Sequence, residues 1–169
     1  MEPGANFQPE QVIGQLGRNS VRYVLIGGLA AITHGSPLVT QDIDICYDRS
    51  RENLERLAKA LGEIHAALRG ADSGLGLPFR LDATTLRNGD TFTLETDLGW
   101  LDVIGTPTGT AGYDDLARTA VPVEIFGYRV LIASIDDLIR MKRAAGRPKD
   151  LIELEHLGAL RDELAEQGR

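Results

Sequence analysis

Cysteine is almost absent from this chain. Its 169 residues include one, Cys46, which excludes an internal disulfide framework and a cysteine-built zinc cluster. A lone thiol fits a reducing compartment. Positive charge is scarce as well: 18 Lys and Arg stand against 25 Asp and Glu, a formal net charge of −7 with a pI near 4.9. A non-specific nucleic-acid coat needs a strongly basic surface, so that class is excluded, whereas a local basic site is not. Long apolar runs are missing too. The longest, Tyr23 to Ile32, holds ten residues and two glycines, against the roughly 18–20 that span a bilayer. The opening MEPGANFQPE lacks a basic stretch leading into an apolar one. No secretory signal and no membrane partner are therefore expected, and the expected location is the cytoplasm.

What is present is an ordinary core composition, 43% hydrophobic, without repeats, low-complexity tracts or a shift marking a second domain. One domain over 1–169 is expected, with a sheet over roughly 20–132 and C-terminal helices over roughly 134–165. The pattern alternates between α and β. A short helix is predicted over 9–16, a strand over 22–26 (RYVLI) ending at Gly27-Gly28, and a helix over 29–34 stopped by Gly35 and Pro37. Residues 41–47 (QDIDICY) alternate with period two and predict a strand. Residues 51–68 predict a helix capped by Ser50, with Leu54, Leu57, Leu61, Ile64 and Leu68 on one stripe. Residues 71–77 read as a glycine-rich loop. Strands over 91–96 and 100–104 suggest a hairpin. A short helix is expected over 113–120 and a second hairpin over 123–126 and 129–132, turning at Gly127-Tyr128. Ser134 caps a helix to about 145, and Pro148 opens a last one to about 160.

Four features carry chemistry. On a strand, Asp42 and Asp44 point to one face. Two carboxylates side by side repel and are kept either in water or around a cation. Oxygen-only ligands suit Mg²⁺. The plain alternative is a solvated sheet face. Fourteen positions upstream, Gly28 ends a strand-to-helix turn, where a phosphate can approach the backbone and the free N–H groups of a helix N-terminus. Alone, Gly27-Gly28 is simply a tight turn. Asp102, flanked by apolar residues in WLDVI, is a third carboxylate that a neighbouring strand would bring to the same point, or else an acid on the open face of the sheet. Residues 140–150 form the one clear basic island: Arg140, Lys142, Arg143, Arg147 and Lys149 precede Asp150. The island could hold a triphosphate or a nucleic-acid end; a helix C-terminus also attracts such cations without any ligand, which explains Lys142 and Arg143 better than Lys149. His34, Cys46 and Ser134 read as structural, Trp100 and Phe126 as core, and His65 and His156 have no ligand spacing.

Taken together, VLIGGLAAITHGSPLVTQDIDI and GWLDVIG resemble the DNA polymerase β-like nucleotidyltransferase superfamily. SIDDLIRMKRAAGRPKDLIELEHL resembles its AbiEii-type branch, which includes bacterial toxins paired with an antitoxin. The resemblance implies an α+β fold, a mixed twisted sheet flanked by helices with further helices at the C-terminus. It also implies an enzyme moving a nucleoside monophosphate from a nucleoside triphosphate to an acceptor, most readily the 3′ end of an RNA such as tRNA. Gly27, Gly28 and Thr40 would hold the triphosphate. Asp42, Asp44 and Asp102 would bind Mg²⁺, with Mn²⁺ as the alternative, and Lys142 would meet phosphate oxygens. Asp150 would orient Lys142 or touch the nucleotide. An antitoxin protein is the implied partner. Two departures stand out: Gly28 replaces a frequent serine, and Leu38 replaces an arginine frequent two residues before the threonine. Nucleotidylation of a protein, an inert nucleotide-binding or antitoxin-like module, and a sugar-nucleotide transferase are the other readings. The chain is short for the last.

Overall fold

The computed structural model describes residues 6–70 and 80–168. The loop expected over 71–77 lies outside the described residues. In chain order the elements are α1 (Pro9–Arg18), β1 (Tyr23–Ile26), α2 (Gly27–His34), β2 (Asp42–Tyr47), α3 (Arg51–Glu63), β3 (Ala67–Leu68), α4 (Ala83–Asn88), β4 (Thr91–Thr96), β5 (Gly99–Ile104), α5 (Tyr113–Ala117), β6 (Val121–Ile125), β7 (Tyr128–Ile132), α6 (Ile135–Ala145) and α7 (Pro148–Gln167). The strands form one mixed sheet in the order β3-β4-β5-β2-β1-β7-β6. In it β2 lies parallel to β5 and antiparallel to β1, and β1 lies parallel to β7. The two expected hairpins, β4–β5 and β6–β7, form its antiparallel flanks. This is the expected α+β architecture. No described helix is long and apolar enough to cross a membrane.

Period-two patterning decides which side each residue takes. Ile43 and Ile45 of β2, Leu101 and Val103 of β5 and Leu94 of β4 are buried, and they share one cluster with Leu54, Leu57 and Leu61 of α3. Asp42, Asp44 and Asp102 alternate with them on the partly open side. The strongly amphipathic pattern of α3 thus covers one face of the sheet, and the acids keep the other.

Several boundaries differ from expectation, each for a local reason. The helix predicted over 51–68 stops at Glu63. His65 takes a left-handed conformation (φ 52°), His65 N–H donates to Gly62 O (3.2 Å) and Ala66 N–H to Leu61 O (3.0 Å). That is a Schellman close built on histidine instead of glycine, and it frees Ala67 and Leu68 to pair with Glu95 and Leu94. Helix α4 was not expected; Asp82 caps it by accepting from Thr85 N–H (2.8 Å). The second hairpin turns at Phe126-Gly127, both with positive φ, as a two-residue primed turn requires. Phe126 is consequently 51% exposed and not in the core. Trp100 is half-buried beneath the guanidinium of Arg69. Helix α2 begins two residues earlier than expected, α5 ends at Ala117, and α7 continues to Gln167.

One buried polar residue ties α3 to the sheet at the end away from the acids. Asn53 is fully buried; its Oδ1 accepts from Arg22 N–H (2.7 Å) and its Nδ2 donates to Arg22 O (2.9 Å) and Asp48 O (2.6 Å). Removing it leaves Arg22 N–H and Asp48 O without this partner, while Arg22 O keeps the Asp48 N–H (3.1 Å). Asn53→Ala is expected to lower unfolding free energy by about 2–4 kcal/mol, read from urea denaturation; a loss within the fitting error contradicts this role.

Candidate active site

The parallel register of β2 and β5 sets Asp44 directly beside Asp102, and Asp42 beside Trp100. One carboxylate oxygen from each of Asp42, Asp44 and Asp102 lies within 4.8 Å of the others. Burial, followed by the negative charges of Asp42 and Asp102, pushes the Asp44 carboxyl up to about 8. Burial also raises Asp102, against the pull of the Arg69 guanidinium. Such crowding is unfavourable for the ionised groups alone, and a divalent cation among them reverses the sign. The donors are all carboxylate oxygens, hard ligands that suit Mg²⁺ or Mn²⁺.

The glycine turn runs directly under this cluster. Ile26 of β1 pairs with Asp44, and the next residue, Gly27, opens α2 with φ 69°. A Cβ on Gly27 would lie 2.1 Å from Asp44 Oδ2, so a side chain there collides with the acid. A Cβ on Gly28 would come within 2.8 Å of Thr40 Cβ and Oγ1. Thr40 already fills the room a serine would need, which gives the absence of that serine a steric cause. The Thr40 hydroxyl is held by Asp42, donating to its backbone O (3.1 Å) and Oδ1 (3.2 Å). The N-cap residue, Ile26, has no side-chain acceptor to offer α2, so among the described residues its first-turn N–H groups are left for an anion. At its other end, His34 Nε2 lies 2.8 Å from Ala133 O, a structural tether.

Opposite the acids stands the basic island. Lys142 on α6 faces them across a cavity of about 230 Å³ that Gly27, Gly28, Thr40, Arg147 and Lys149 also line. Its Nζ donates to Asp150 Oδ1 (3.3 Å) and pairs with Glu153. Asp150 is fully buried and does not line the cavity. It accepts from Arg147 N–H (3.1 Å) and Nε (2.9 Å) and closes the joint between α6 and α7. Burial pushes its carboxyl up, but the hydrogen bonds from Arg147 and Lys142 outweigh that and hold it below the usual range. Asp150 thus touches Lys142 and not the cavity itself. Arg140 turns away to Asp115 and Asp137. Cys46 is buried, its thiol pushed up to about 12 by burial, and Ser134 caps α6 by accepting from Asp137 N–H (3.1 Å).

A second cavity, of about 300 Å³, meets the first at Asp44, Asp102 and Lys142. Its far wall is more apolar and includes Ile104, Pro107, Met141 and Ala145. Sequence reasoning missed three side chains here. Arg147 belonged to the basic island without an assigned role, Glu153 had no signal, and Arg69, 3.1 Å from Asp102 Oδ1, follows a two-residue strand that no periodicity marks.

No protein-family model matches the chain, and no curated protein matches it by sequence. Solved structures do. The lincosamide antibiotic adenylyltransferase LnuA, in a lincomycin-bound structure, superposes with a TM-score of 0.59 at 13% identity, covering 92% of this chain and 99% of its own. The antibiotic-resistance factor ANT(2'')-Ia gives 0.53 at 14% identity, covering 94% and 90%. The fold is that of the polymerase β-like nucleotidyltransferases. At such identity the likeness concerns the fold alone. On this nucleotidyltransferase fold, the three acids, the glycine turn and Lys142 surround one space.

Ion binding is testable without substrate. Millimolar Mg²⁺ or Mn²⁺ is expected to raise the Tm by a few degrees, because an ion that binds only the folded chain stabilises it. Asp44→Asn should abolish that shift while raising the metal-free Tm, since it removes an ionisable group disfavoured by burial and by its acidic neighbours. Calorimetry checks both; an equal metal-induced shift in Asp44→Asn contradicts the assignment.

Proposed function

We propose that this protein transfers a nucleoside monophosphate from a nucleoside triphosphate to an acceptor hydroxyl and releases pyrophosphate. The observation that carries this reading is the convergence of Asp42, Asp44 and Asp102 under the Gly27-Gly28 helix opening, facing Lys142. Asp42, Asp44 and Asp102 would hold Mg²⁺ or Mn²⁺, which when bound supplies charge neutralisation at the reacting phosphate. The free N–H groups of α2 receive phosphate oxygens, and Gly27 and Gly28 let them approach. Thr40 shapes that floor. Lys142 contributes a charge-assisted hydrogen bond to the phosphates, and Asp150 keeps it in place. Asp102 borders the second cavity, where the acceptor oxygen attacks the α-phosphorus as the bond to the pyrophosphate oxygen breaks. The acceptor proton leaves to a carboxylate or to water. The sheet and the C-terminal helices act as one catalytic unit.

The acceptor in this reading is the 3′ end of an RNA, tRNA foremost, and the biological setting is a cytoplasmic toxin restrained by an antitoxin protein. The AbiEii-like tail supports it, as do the exposed cations Arg147 and Lys149 that line the cavity, which suit a polyanion. A second reading is a small hydroxylated molecule. The apolar wall of the second cavity favours it, and so does the lincosamide acceptor named for LnuA.

Each labelled nucleoside triphosphate, with Mg²⁺ and either total RNA or a panel of hydroxylated small molecules, separates these. Label on RNA is the expected result, reduced at least about a hundredfold in Asp42→Ala and Asp44→Ala. Label on a small molecule selects the second reading, and label on the protein selects nucleotidylation of a side chain. Nucleotide binding without transfer to any acceptor overturns the proposal in favour of an inert binding module.

A further inference from the structure

Arg69 stands where the acids meet the open end of the sheet, and the assignments above give it no task. Its guanidinium carbon lies 3.9 Å from the centroid of the Trp100 ring. One nitrogen, Nη2, donates both to Asp102 Oδ1 (3.1 Å) and to Leu94 O (3.1 Å). Its backbone N–H donates to Thr93 O (2.9 Å). The side chain is 22% exposed, and among the described residues its buried Nε has no acceptor. A surface arginine samples many rotamers, but this guanidinium is held by three partners, Trp100, Asp102 and Leu94 O. Lys142, the cation on the opposite flank, is already engaged by Asp150 and Glu153. Among the described residues Arg69 pairs with one carboxylate, Asp102, and so sets its positive charge directly on a candidate metal ligand.

We propose that Arg69 is the resident counter-cation of the acidic cluster. Pinned between Trp100 and Asp102, it offsets one carboxylate charge in the nucleotide-free protein and weakens the hold of the three acids on a divalent ion. A triphosphate supplies the missing negative oxygens, so ion binding becomes tight only when nucleotide is present. The arrangement thereby couples ion and nucleotide binding. Trp100 is a positioning residue in this scheme: its ring fixes the guanidinium plane, and a cation over an indole face is well accommodated. The inference rests on the three acids holding a divalent ion, and the test keeps the two apart.

Calorimetric titration of nucleotide-free protein with Mn²⁺ reads the effect directly, without turnover. Arg69→Met keeps much of the apolar stem and removes the charge. It should bind Mn²⁺ about tenfold more tightly than the unaltered protein, because a positive charge a few ångströms from the ion is gone. Saturating non-hydrolysable nucleotide should shrink that difference. Trp100→Leu should tighten Mn²⁺ binding in the same direction, and Trp100→Phe should restore the original affinity. A purely structural arginine predicts equal or weaker ion binding on removal; either result, with Mn²⁺ still bound by the unaltered protein, overturns the inference. Failure of the unaltered protein to bind Mn²⁺ at all sinks the metal assignment itself. Should Arg69→Met not fold, Arg69→Gln replaces it with the same expected sign.

Discussion

Three carboxyl groups crowded on one face of a sheet form the constraint around which the rest of this molecule is arranged. The parallel register of β2 with β5 puts Asp44 opposite Asp102, and the two-residue period of β2 adds Asp42. At an effective dielectric near 20, two unit charges about 4–5 Å apart repel by roughly 3–4 kcal/mol. A sheet does not keep three such groups together for packing. The surroundings answer the charge in distinct ways: burial and crowding keep Asp44 protonated up to pH values near 8, Arg69 meets Asp102, and the open turn of α2 presents donors instead of further carbonyls.

The two flanking cations are held by different means. Lys142 is placed by the joint between α6 and α7, where buried Asp150 binds the backbone and side chain of Arg147 as well as the ammonium. Its position therefore depends on the packing of two helices. Arg69 is placed by the sheet edge and the Trp100 ring. One cation looks across the phosphate-sized cavity and the other across the open strands.

Much of this was legible in the residues because period two and turn chemistry are local. QDIDICY and GWLDVIG declare strands with acids on alternate positions, and Gly27-Gly28 declares a turn whose reason, the approach of Asp44, appears only in three dimensions. Which strand pairs with which is a long-range decision, so the alignment of Asp44 with Asp102 could be conjectured but not read. The failures have similar causes. The stripe of α3 continues through Leu68 in the sequence, and nothing marks His65 as the left-handed residue that ends the helix. Phe126 occupies a positive-φ turn position that local preference assigns to glycine or asparagine. Arg69 carries no spacing signal at all, since its role comes from β3 pairing with β4.

The central claim is that these three carboxylates jointly bind a divalent cation beneath the helix opening. A crystal structure with Mn²⁺ and a non-hydrolysable triphosphate, phased at the manganese edge, tests it most directly. The account predicts an anomalous peak within about 2.0–2.6 Å of oxygens from Asp42 and Asp44, with the phosphates reaching toward Gly28 and Lys142. Manganese lodged elsewhere, with Asp42, Asp44 and Asp102 contacting only water, would contradict it.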